Sequence, residues 1–354
     1  MTTADSTNLA DLAEFPADWR GTATRPIGVD AAFNGYIAAN IIFALDQLGV
    51  WDLLDREGDA TLARLPAVTG SNERLLGHLL KAAIACGYLR RRADRVMLTD
   101  AGRQLVRMRG YFTWAVGGYQ EVLGNTSAIV SGAQRFGTDV HRNDAMVARG
   151  SGLNDQAFMA DILEQVLAGI DFGAIADLGS GTAVRLCRAV ARRAGTRGLA
   201  IDISEPATRL AEGTIHATGL GDRVTALRTD VLDVFLGKRH REILAEVDTV
   251  MSFFLLHDLL ADPQTRHEVL PRMREAFPKT RTFLLADTTL RPAGDNDTTL
   301  PVFSIGYELA HALMGIPLHT RQTYEALFAE AGLKVESVVA FGTPHSWLYV
   351  IKAD

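Results

Sequence analysis

The chain has 354 residues, 47% of them hydrophobic and 22% charged, which excludes a disordered or fibrous protein and exceeds what one core usually sustains. A formal net charge of −6 removes any global attraction to a phosphate backbone, so no nucleic acid partner is expected. Two cysteines, Cys86 and Cys187, lie in apolar helical patterns and are too few for a disulfide framework. With no signal-peptide pattern at the N-terminus and no apolar run near the roughly 20 residues that a bilayer needs, the expectation is a cytoplasmic protein without a membrane partner.

Residues 1–28 are polar and carry Pro16 and Pro26, the composition of an arm with no assigned function. From Ala31 to Leu54 the pattern is helical and apolar nearly all round, so this helix must be buried in a core or against another subunit. The next stretch reads as helix, turn, helix and a short β-wing, with Ser71 as N-cap of the second helix. That helix offers only Arg74 and Lys81 as cations. Dimer packing is therefore the favoured use of this winged-helix pattern over DNA recognition, and Arg90 to Arg92 form a solvated face. Residues 1–110 are assigned to this unit.

Residues 111–165 read as further helices, punctuated by Gly117, Gly118, Gly124, Gly137 and Gly150, able to form a lid over a neighbouring domain. Across residues 166–354 short apolar strands alternate with helical stretches. This is the pattern of βαβ units, a parallel sheet with helices on both faces and a Rossmann-like α/β fold.

A strand runs directly into the glycine-rich turn of IADLGSGTA, residues 175–183, and a helix follows. Gly179 and Gly181 let the backbone turn tightly and approach a ligand. Asp202 closes the next strand, where a carboxylate can hold two ribose hydroxyls. Asp230 and Val231 follow the third strand, where a carboxylate can accept from an adenine amino group. NAD and S-adenosylmethionine compete for such a site. The loop opens on Asp177, and Val184 stands where a third glycine would be, which disfavours a pyrophosphate seat.

The fourth strand ends at His257 and Asp258, on the carboxyl edge of the sheet. An imidazole there suits general base work. A second histidine, His311, lies in an apolar helix whose polar residues Ser304, Tyr307, Glu308 and His311 recur at helical spacing. Either that stripe touches solvent, or His311 reaches the pocket opposite His257, where two neutral imidazoles can hold a divalent iron, zinc, nickel or cobalt ion. Phe253, Phe254, Phe303 and Met314 are candidates for the pocket wall or for ordinary core.

In order, DLGSGTA, AIDIS, TDVLD, FLLHDLLADP and ADTTLRP resemble the O-methyltransferase type with an N-terminal dimerisation domain, over almost the whole chain. The resemblance implies a homodimer with S-adenosylmethionine on Gly179, Gly181, Asp202 and Asp230. LLHDLL followed by ELAHALMG more closely resembles the bacterial α-keto acid C-methyltransferases, including the phenylpyruvate β-methyltransferases. That implies a non-haem metal on His257 and His311, an α-keto acid substrate that chelates it, and methylation of the β-carbon through its enolate, as for a precursor of a β-methyl amino acid. For such chemistry Asp258 is the candidate to remove the β-proton or to orient a water that does, Arg142 the candidate cation for the carboxylate, and Trp114 an apolar wall. The chain departs from plant-type O-methyltransferases at GIPLHT, where Leu318 replaces an acidic residue that helps position the base. Two readings stay open beside this one. One is a metal-free O-methyltransferase of an aromatic natural product with His257 as base, and the other is a regulatory protein without catalysis.

Overall fold

The long apolar helix expected near the N-terminus is broken in two in the computed structural model, which describes residues 27–237, 239–290, 304–340, 343 and 345–353. Helix Val29–Gln47 stops because Gly49 adopts φ 71°, and helix Val50–Glu57 leaves at 71° to it. A left-handed residue without a Cβ makes this bend possible. Trp51, fully buried behind it, donates its indole N–H to the Ile42 carbonyl at 2.9 Å. No single helix among the described residues is long and apolar enough to cross a membrane.

Three short strands follow, β1 (Asp59–Thr61), β2 (Leu89–Arg92) and β3 (Arg95–Leu98), antiparallel in the order β1-β3-β2. Helix Glu73–Ala85 packs beside them, and its N-cap is Asn72, whose side chain accepts from the Leu75 amide. The expected cap, Ser71, lies one residue too early and shares a hydrogen bond with Thr69 instead. Cys86, placed by its pattern in a helix, is an exposed C-cap residue, while Cys187 is buried. Arg74, Lys81 and Arg90 to Arg92 are exposed.

The alternating elements beyond residue 170 close into one sheet. Strands β4 (Ala174–Leu178), β5 (Arg197–Asp202), β6 (Val224–Arg228), β7 (Thr249–Phe253) and β8 (Thr282–Thr288) pair in parallel. Two further strands, β9 (Leu333–Ala340) and β10 (Ser346–Ala353), add an antiparallel hairpin, so the full order is β6-β5-β4-β7-β8-β10-β9. The parallel reading of the sequence therefore holds for five strands and misses the hairpin. Its edge strand LKVESVVA alternates apolar with polar residues, because one side of it meets solvent. Every residue of β7 and β8 is buried, as central strands covered on both faces must be. Phe283 and Leu285 serve the core on one face, and Leu284 and Ala286 the core on the other.

Strand order reverses between β4 and β7, and at that point ligands bind in open α/β sheets, beyond the carboxyl ends of the strands. Two π-helical segments border the resulting cleft, Thr113–Gly118 and Asp155–Met159. Helix Asp144–Asn154 crosses them closely because Gly150 carries no side chain. A Cβ there would stand 2.6 Å from the Trp114 amide nitrogen and 2.8 Å from the Gly110 carbonyl. Gly150→Ala should therefore cost about 1–3 kcal/mol by overpacking and displace Trp114. A lowered denaturation midpoint with altered tryptophan fluorescence checks this.

Candidate active site

The glycine turn after β4 is built as its sequence requires. Gly179 and Gly181 have φ 68° and 54°, conformations that favour glycine. The Gly179 and Ser180 amides donate to the Ile201 carbonyl, tying the turn to β5. Asp202 faces the same turn, and its two carboxylate oxygens accept from the Gly181 and Ser204 amides, each at 2.9 Å. Burial pushes its carboxyl up from the ordinary value, and the two amides work against that. Asp230 accepts from the Leu232 amide at 2.8 Å and so caps the helix after β6, while Val231 is buried beside it.

Gly179, Gly181, Asp202, Asp230 and Val231 all line one cavity of about 330 Å³. Asp177 does not. It is fully buried under the turn, 3.6 Å from Arg185, with no hydrogen bond to either carboxylate oxygen among the described residues.

His257, Asp258, His311, Arg142, Trp114, Phe253 and Phe254 line the same cavity. His257 follows a left-handed turn at Phe254, φ 57°, that directs the chain from β7 back over the sheet edge. Its amide donates to Asp287 at 2.8 Å, and its Nδ1 lies 2.9 Å from both Asp287 oxygens. Asp287 sits on β8, the neighbouring strand, and also accepts from the Thr288 amide and the Tyr324 hydroxyl. The ring therefore donates through Nδ1, which leaves Nε2 as an acceptor, 3.7 Å from Asp258. Burial works against the charged imidazolium, but the carboxylates of Asp287 and Asp258 outweigh it and raise the His257 pKa.

The two histidines come together. Their ring centroids are 4.5 Å apart and the planes are perpendicular. His311 donates through Nδ1 to the Tyr307 carbonyl at 2.7 Å. Burial, and then the charge on His257, hold its pKa well below the ordinary value. The polar stripe of the sequence divides, with Tyr307 and His311 pointing into the protein and Glu308 half-buried; the side chain of Ser304 lies outside the described residues. Met314 belongs to the apolar cluster that includes Trp114, Tyr119 and Tyr307 but does not itself line the cavity. Phe303 lies outside the described residues.

Arg142 bonds Asp144 at 3.0 Å and reaches the Tyr119 hydroxyl at 3.5 Å. Asp287, Tyr119 and Tyr324 escaped the sequence reading. For Asp287 a signal existed, a lone acid inside the apolar strand TFLLADT.

A second cavity, about 200 Å³, lies between helices Ala160–Ala168 and Val184–Ala191 and is lined by apolar and charged residues alike. Its arginines are already engaged, Arg188 and Arg192 with Glu164 at 2.6 and 2.7 Å, Arg185 with Asp155 at 2.9 Å and Arg193 with the Leu167 carbonyl at 2.6 Å.

No family model matches the chain. Among curated proteins it is similar to indolepyruvate C-methyltransferase of Streptomyces griseus, 29% identical over 92% of this chain and 94% of that one. It is also similar to methyltransferase ungE' of Aspergillus campestris, 26% identical over 85% and 89%, and to 2-ketoarginine methyltransferase of Streptomyces arginensis, 24% identical over 85% and 87%. Among solved structures its fold matches the mitomycin 7-O-methyltransferase MmcR, with TM-score 0.61, 21% identity and coverage of 92% and 97%. Human N-acetylserotonin methyltransferase in complex with SAM matches with TM-score 0.60, 16% identity and coverage of 99% of both chains.

Burial raises the Asp177 carboxyl to about 7, Arg185 partly offsetting it and Asp155 and Asp202 adding to it. In the folded protein this group holds its proton across a range where the unfolded chain, with an ordinary carboxyl near 3.8, has lost it. Stability of the cofactor-free protein should therefore fall as pH rises from about 4 to about 7. Asp177→Asn removes that contribution, and urea midpoints taken across this range for both proteins should show a flatter dependence in the variant.

Proposed function

We propose that this chain is an S-adenosylmethionine-dependent methyltransferase that methylates the β-carbon of an α-keto acid with the help of a divalent cation, a reading that its similarity to named methyltransferases supports. The observation that carries the reading is the imidazole pair. Both Nδ1 atoms are engaged, by the Asp287 carboxylate and the Tyr307 carbonyl, which leaves Nε2 of each ring as its acceptor atom; both residues line one cavity, and the Tyr307 hydroxyl stands 3.4 Å from Nε2 of His257. That is the surrounding hydrogen bonding that metal-binding histidines have. The named activities of two relatives, on indolepyruvate and on 2-ketoarginine, support a keto acid substrate.

His257 and His311 would hold the cation, iron, zinc, nickel or cobalt by the preference of imidazole ligands. The cation would supply positive charge for the keto oxygen as the β-carbon becomes nucleophilic. Gly179, Gly181, Asp202, Asp230 and Val231 would seat S-adenosylmethionine, the source of an electrophilic methyl group. Arg142 takes the substrate carboxylate. Asp258 accepts the β-proton, and the electrons of that C–H bond become available to form the new carbon–carbon bond as the methyl–sulfur bond breaks and its electron pair leaves with S-adenosylhomocysteine. Trp114 and Phe254 keep water from the reacting atoms, as an in-line displacement requires.

A metal-free O-methyl transfer to an aromatic hydroxyl is the second reading. The observation that favours it is the His257–Asp287 pair, which suits a proton acceptor. Elemental analysis of the purified protein, followed by methyl transfer to phenylpyruvate, indolepyruvate and 2-ketoisovalerate, separates the two. The keto acid reading expects bound metal, loss of at least about a hundredfold in turnover for both His257→Ala and His311→Ala, and a raised KM for the keto acid in Arg142→Ala. Full activity after metal removal, or a His311→Ala enzyme close to wild type, would exclude it.

We also propose a homodimer through the first helix. Val29, Phe33, Tyr36 and Ile37 lie on one helical face and are exposed, Val29 by 85% and Phe33 by 67%. Adjacent exposed apolar side chains on one helical face are what an interaction surface presents. Phe33→Asp combined with Tyr36→Asp should halve the mass measured by light scattering, and an unchanged mass would remove the assignment.

A further inference from the structure

We propose that Tyr307 is the positioning residue of the imidazole pair, an inference that rests on the cation reading above. Three parts of this one residue fix the two rings. Its carbonyl accepts from His311 Nδ1 at 2.7 Å. Its aromatic ring lies against the His311 ring, with centroids 4.0 Å apart and planes 35° apart, and Trp114 stacks at 6.0 Å. Its hydroxyl stands 3.3 and 3.4 Å from the two ring nitrogens of His257. The phenol is 3% exposed, and burial holds it in the protonated form.

The spacing explains how this arises. Tyr307 and His311 are one turn apart on a helix, so their side chains share a face. The carbonyl alone sets the direction of Nδ1 but leaves the plane of the ring to its neighbours. Tyr307 supplies one wall of the slot that holds that plane, while its hydroxyl meets the histidine from the other element. A ligand pair contributed by two separate elements keeps its affinity only while both rings stay aligned, and loss of such supporting contacts typically costs 10–100-fold in metal affinity.

The test is cobalt(II) titration of the full-length protein stripped of metal, followed by visible absorption, for wild type, Tyr307→Phe and Tyr307→Leu, with His311→Ala as the reference for a lost site. Circular dichroism checks that each variant is folded. Tyr307→Leu, which removes ring and hydroxyl, is expected to bind cobalt about 10–100-fold more weakly. Tyr307→Phe, which keeps the ring, is expected to lose severalfold in affinity and to show a shifted absorption band. Binding by a folded Tyr307→Leu protein within twofold of wild type overturns the role. Should Tyr307→Leu fail to fold, a Tyr307→Phe protein with wild-type affinity and band overturns it. A wild-type protein that takes up no cobalt overturns the cation reading itself and this role with it, a result distinct from normal uptake by every Tyr307 variant.

Discussion

The hydrogen bond between Asp287 and His257 is the contact on which the site depends. A fully buried carboxylate is costly unless donors surround it. Here the His257 amide, the His257 ring, the Thr288 amide and the Tyr324 hydroxyl all point at it. The same bonds fix the turn after β7 and the tautomer of the imidazole, so that Nε2 is the atom left for chemistry. Strands β7 and β8 are neighbours in parallel register, and Asp287 reaches the base of the turn because the sheet puts it there.

The second constraint is the packing of the helical part on the sheet. Helix Asp144–Asn154 lies directly on the glycine turn, since a Cβ at Gly152 would stand 2.7 Å from the Thr182 hydroxyl. Asn143 caps this helix and donates its amide to the Gly118 carbonyl, which holds Arg142 beside Tyr119. The cavity is thus shared. Its floor comes from the ends of β4, β5, β6 and β7, and its wall comes from Trp114, Tyr119 and Arg142. Neither part of the chain encloses it alone.

The features legible in the sequence were those written locally. A strand running into glycines, acids at successive strand ends and a histidine after the fourth strand each follow from a short stretch, and all but Asp177 meet at one cavity. Asp177 has the local signature but lies under the turn, a difference that depends on which face of β4 it occupies. The break at Gly49 and the β9–β10 hairpin were illegible because tertiary packing decides them. Asp287 and Tyr324 become partners across 37 residues, and no local period records that pairing. Leu318 is instructive here. The acid missing at that position is no measure of the site, because the carboxylate beside His257 comes from β8.

The two histidines shift in opposite directions because carboxylates face one ring, while burial and then its charged neighbour act on the other. Burial disfavours charge on both rings, and at 4.5 Å a proton on one raises the cost of a proton on the other. The tie is broken by their partners. His257 faces the carboxylates of Asp287 and Asp258, whereas His311 faces only a neutral carbonyl through Nδ1 and feels Arg142 as well. The carboxylates therefore favour a proton on His257, and burial with its neighbours disfavours one on His311. Pairs of titratable groups driven apart in this way divide their roles. In this chain His311 is the imidazole held toward its neutral, lone-pair-donating form, opposite His257, whose charge depends on the carboxylates beside it and on what else enters the cavity.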